Sequence, residues 1–127
     1  MTQEDKELLL KDLCARLPYG VKYQDRIEGG IHILSLNVIH HYERFIPYLR
    51  PMSSMTEEER DEVEEISHGW FYINEDGEIY PMGRLTDCGE FEDAILPTFE
   101  YFLKNHIDYR DLIDKGLAIE APEGMYN

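Results

Sequence analysis

The sequence predicts a single α+β domain, with antiparallel β-hairpins packed against an N-terminal helix and a long C-terminal helix. Three observations predict it. Apolar residues keep a helical period through Phe91, Ala94, Ile95, Thr98, Phe99, Phe102, Leu103 and His106. Two turn signals, Gly29-Gly30 and Asn74-Glu75-Asp76-Gly77, each separate strand-like segments. Two capping patterns open helices at Thr2 and Thr56. A chain of 127 residues suits one domain and can bury a core without disulfides or metal.

The first helix is expected over residues 3–16. Thr2 and Asp5 sit at capping-box spacing, although Glu or Gln is the usual partner. Leu9, Leu10, Leu13, Cys14 and Leu17 fall on one face, which places Cys14 in the core. Pro18-Tyr19-Gly20 ends the helix, because Pro disfavours a helical predecessor and Gly suits a turn.

Residues 21–25 read as a short strand, and residues 31–42 as a long one. On the long strand Leu34, Leu36 and Val38 share a face opposite Ser35 and Asn37. Residues 45–51, bounded by Pro47 and Pro51, read as an irregular link. Thr56 with Glu59 is a capping box, and Glu57, Glu58 and Glu59 favour the positive end of the helix dipole. That helix runs to about Ile66. Only Met55, Val63 and Ile66 can anchor it, so most of it faces solvent.

A second hairpin joins residues 70–73 to residues 78–80 through the loop ending at Gly77. Asp87 and Glu90 offer a third cap, ahead of the long helix. Pro97 either kinks that helix or separates two. Asp108 opens a short helical turn that stops at Gly116, and residues 117–127 form a mostly irregular tail.

Four stretches carry a resemblance: residues 12–22 (DLCARLPYGVK), 47–59 (PYLRPMSSMTEEE), 108–122 (DYRDLIDKGLAIEAP) and 123–126 (EGMY). They resemble a family of small uncharacterised proteins of anaerobic gut bacteria and their phages or mobile elements. The resemblance covers about a third of the chain. It implies a cytoplasmic accessory protein of mobile-element origin, and carries no activity, cofactor or catalytic residue.

Charge narrows the function classes. The net charge is −15. Residues 1–50 hold seven acids and seven bases, so all of the excess lies in residues 51–127. Such a surface repels nucleic acid and anionic membranes, and attracts basic proteins. Apolar runs such as residues 8–10 are too short to span a bilayer. The polar, acidic start lacks the pattern of a signal peptide, so a cytoplasmic location is expected. There Cys14 and Cys88 stay reduced.

Candidate chemistry is sparse. His40 and His41 are neighbours on the expected strand, so they point to opposite faces and cannot easily share an ion. Neither cysteine has a C-x-x-C partner, and no cofactor or metal site is expected. Asn74-Glu75-Asp76-Gly77-Glu78 lacks the ladder of a calcium loop and reads as a hairpin turn. His106 continues the helical stripe and can face the helix dipole when protonated. His68, and Cys88 near a helix N-terminus, are weak leads toward a small enzyme.

The sharpest feature is the helix over residues 57–65, with seven acids and one base. A solvated, well-capped face explains it without function. The functional reading is a docking surface made of Glu57, Glu58, Asp61, Glu62, Glu64 and Glu65, with Trp70 beside it. Its partner is a basic protein. A protein that mimics a row of phosphates, and so occupies a DNA-binding site, is the narrower alternative.

Overall fold

The computed structural model of the protein describes residues 2–81 and 91–126. The fold is α+β, with an N-terminal helix, antiparallel hairpins and a long C-terminal helix, as the sequence predicts. The chain forms two compact units. The first joins residues 1–50 to residues 103–127, and residues 51–102 form the inserted unit.

In the first unit, helix α1 spans Gln3–Arg16, and the Thr2 hydroxyl accepts the Asp5 N–H at its start. Leu9 and Leu13 are buried as expected. The same face also buries Asp12 and Arg16, and Cys14 is exposed rather than in the core. The inward stripe therefore runs i, i+3, i+4, i+7 from Leu9, one position away from Cys14.

Strands β1 (Lys22–Asp25), β2 (Ile31–Ile33) and β3 (Phe45–Pro51) lie in the order β2-β1-β3. Both pairings are antiparallel. The expected strand over residues 31–42 stops at Ile33. Residues Leu36–Arg44 are 3₁₀-helical instead, with an irregular joint at His41. The reason is a missing partner. Leu34 N–H reaches the Val21 carbonyl, and the chain before Val21 turns away at Gly20 (φ 71°). Beyond that point no ladder can form, and Ile39 and Tyr42 pack against the core at a spacing of three residues.

The expected irregular link over residues 45–51 is instead the central strand. Arg26 N–H donates to the Arg44 carbonyl. Alternation then places Tyr23↔Pro47 at a site without ladder bonds to β1. Pro47 thus lacks a donor where β1 needs none. Two short strands complete this sheet: β6 (Ile107–Asp108) extends the order β2-β1-β3-β6, and β7 (Ile119–Glu120) runs parallel to β3. The tail is thus partly ordered. The core gathers Leu9, Leu13, Val21, Tyr23, Leu49, Leu112 and Leu117.

The short helix expected after Asp108 is a single turn. Lys115 N–H bonds the Asp111 carbonyl, Gly116 N–H bonds Ile113, and Leu117 N–H bonds Leu112. The last two form a Schellman closure, with Gly116 left-handed at φ 74°. The Asp108 carboxylate accepts the Leu112 and Ile113 N–H groups and holds the turn.

In the inserted unit, α2 (Glu57–Ile66) carries the expected capping box, with Thr56 and Glu59 bonding each other's backbone N–H. Met55 and Val63 are buried beneath it. It packs on β4 (Phe71–Ile73), which pairs with β5 (Ile79–Pro81) across the expected turn. Helix α3 (Phe91–Lys104) continues unbroken through Pro97. The buried Thr98 hydroxyl donates to the Ala94 carbonyl within it. The proposed Asp87–Glu90 cap lies outside the described residues.

Candidate functional site

The two units divide the charge very unevenly. The inserted unit holds fifteen acids and two bases, a net charge of −13, which leaves −2 on the first unit. Most of the acidic excess seen in residues 51–127 is therefore carried by one structural unit, residues 51–102.

Within it, α2 displays the acids in two rows. Glu57, Asp61 and Glu64 follow i, i+4, i+7, and so do Glu58, Glu62 and Glu65. All six side chains are exposed. The capping box, and the attraction of the first-turn acids to the positive end of the helix dipole, partly offset their mutual repulsion. Its single base, Arg60, donates to the Met55 carbonyl at 2.8 Å.

Packing of α2 on β4 forms a groove of about 210 Å³ lined by Glu57, Asp61, Glu64, Glu75, Arg60 and Tyr72, with Ile73 also on its wall. Tyr72 faces Tyr80 across the hairpin, with ring centroids 6.4 Å apart. The Tyr80 hydroxyl donates to Glu78 at 3.1 Å, which raises its pKa. Glu62 stands on the second row, where it accepts the Tyr101 hydroxyl at 3.0 Å.

The structure thus brings Glu57, Asp61 and Glu64 together. Glu58, Glu62 and Glu65 lie outside the groove lining, and so does Trp70, which is half-buried. Sequence reasoning missed Glu75, and it assigned the aromatic residues around Trp70–Tyr72 to the core or to an interface without placing Tyr72 beside the acidic helix. The short connection between α2 and β4 was the available signal, because it forces the hairpin back onto the helix.

The other candidates do not converge. The rings of His40 and His41 meet edge-on at 4.8 Å, which corrects the expectation that they face opposite ways. The 3₁₀ segment, with its joint at His41, replaces strand alternation there. His40 and His68 are exposed and belong to different units, and Cys88 lies outside the described residues. Among the described residues no group of three or more His, Cys, Asp or Glu could hold a metal ion. Among them, too, no helix is long and apolar enough to cross a membrane.

His106 follows the end of α3 in a left-handed conformation (φ 61°), off the expected stripe. Its ring stacks on Tyr126 at 3.8 Å. Burial, aided by Arg16, Arg50 and Lys22, lowers its pKa to about 4. It is therefore a neutral packing residue rather than a cation facing a dipole. Tyr126 accepts the Lys22 N–H and donates to the Tyr48 carbonyl, and burial raises its pKa to about 12.

No protein-family model, curated protein or solved structure matches this chain.

Proposed function

We propose that this is a non-enzymatic binding protein whose inserted unit docks a basic segment of another protein. One observation carries the reading: the −13 unit presents a groove that combines four carboxylates with an exposed tyrosine. Carboxylates suit lysine and arginine heads, and a tyrosine face adds a cation–π contact. Exposed acids steer a basic partner mainly by accelerating encounter. The same charge disfavours direct binding of nucleic acid.

The test is capture of partners from nuclease-treated lysate of the native host, at low and high salt. A basic protein retained at low salt and released as salt rises supports the reading. A triple variant, Glu57→Gln, Asp61→Asn and Glu64→Gln, should weaken that capture about tenfold, since each exposed pair contributes ~0.5 kcal/mol. Capture unaffected by salt and by the triple variant counts against it. Competition by duplex DNA for the captured protein would identify the narrower, DNA-mimicking form of the same activity.

A further inference from the structure

The edge strand β2 is open, apolar and uncharged. Ile31 is 56% and Ile33 63% exposed. Leu34 N–H bonds the Val21 carbonyl, and the register pairs Tyr23↔His32. In an antiparallel ladder the bonded pairs alternate. Val21–Leu34 and Tyr23–His32 are thus the bonded pairs, and the N–H and C=O groups of Ile31 and Ile33 point away from β1. Among the described residues nothing pairs with them. No Asp, Glu, Lys or Arg occurs between residues 29 and 42, although 31% of the chain is charged. Edge strands in natural proteins are usually guarded by such charges.

We propose that β2 is a self-association edge, at which two copies pair antiparallel about a two-fold axis through His32. Two outward-bonding residues spaced two apart are self-complementary. Ile31 of one copy meets Ile33 of the other, and symmetry repeats the contact, giving four backbone hydrogen bonds. Charge is compatible with a second copy as the occupant, since the strand carries no formal charge, the groove beside it carries one charge of each sign (Lys22 and Glu123), and its unit holds only −2 of the total −15. Beside the strand lies a groove of about 580 Å³, in which Lys22, His32 and Glu123 stand among Ile31, Ile33, Pro122 and Met125.

Sedimentation of the full chain over a concentration series, with amide exchange of Ile31 and Ile33 followed by NMR, tests the proposal. The expected result is a monomer–dimer equilibrium in which those two amides become protected as the dimer fills. Ile33→Lys sets a charge beside Ile31 of the other copy, and should weaken dimerisation about tenfold or more. Ile33→Pro removes an N–H that β1 does not use, and should do the same. A monomer at every concentration overturns the proposal. So does a dimer in which both amides exchange as fast as in the monomer.

Discussion

Arg16 Nε donates to Asp12 Oδ2 at 2.7 Å, and both side chains are fully buried. Arg16 also donates to the Ile107 carbonyl at 2.7 Å, so one guanidinium ties α1 to β6. Arg110 stands 3.8 Å from the other Asp12 oxygen. Removing one partner of such a pair strands a buried charge. Asp12→Ala should cost about 3–5 kcal/mol in urea unfolding. The double variant Asp12→Leu, Arg16→Met should recover much of that loss, because it removes both charges and keeps the volume. If the double variant is as unstable as the single one, the bond to Ile107 outweighs the ion pair.

Gly77 closes the β4–β5 turn at φ +82°. A Cβ there would collide with the Ser53 nitrogen and lie 2.5 Å from the Met52 carbonyl carbon. Both obstacles are backbone and cannot rotate aside. Gly77→Ala should therefore destabilise by about 3 kcal/mol, combining left-handed strain with overpacking. Thermal unfolding checks this. Gly20 has a similar φ with nothing within 4 Å of its Cβ, so Gly20→Ala should cost less and separates the two effects.

The capping box on α2 gives a smaller, local effect. Thr56→Ala removes the acceptor for Glu59 N–H, a bond of 3.2 Å. The expected cost is about 1 kcal/mol. Urea unfolding followed by circular dichroism measures it. Thr56→Ser keeps the hydroxyl and should leave stability nearly unchanged. An equal loss in both variants would mean that the methyl group, not the cap, matters.

Much of this fold was legible in local chemistry. The bounds of α1 and α2 followed from Thr2, Thr56 and the helical period, and the second hairpin from Asn74 and Gly77. What failed depended on distant partners. Leu34, Leu36 and Val38 alternate like a strand, but Leu36, Ile39 and Tyr42 also repeat every third residue. Only the absence of a partner before Val21 selects the second pattern. Pro47 read as a break because its ladder position depends on β1. Asp12 and Arg16 stand at an ordinary ion-pair spacing, and their burial depends on Ile107, 91 residues away. Of the acidic site, Glu57, Asp61 and Glu64 could be read from α2 alone. Tyr72 and Glu75 required the packing of β4 against it.

The His106–Tyr126 stack makes part of the stability depend on pH, with a sign set by the lowered histidine pKa. The folded state holds His106 near 4, and the unfolded chain returns it to 6.5. Between these values the unfolded state binds more protons, so stability is complete above 6.5 and is lost as pH falls toward 4. The loss should amount to about 1–2 kcal/mol, less than the full shift implies, because the ring is only half-buried and solvent screens the nearby cations. Asp25 contributes a separate, lower window. The hydrogen bond from Arg44 holds it at about 2, so its contribution is lost only below 3.8. His106→Asn suits the left-handed backbone and does not titrate. It should lower stability at neutral pH by removing the stack, and flatten the pH dependence between 6.5 and 4 while leaving the Asp25 window intact. Urea midpoints across that range decide the matter. An unchanged slope in His106→Asn would mean that the ring is already solvated in the folded protein.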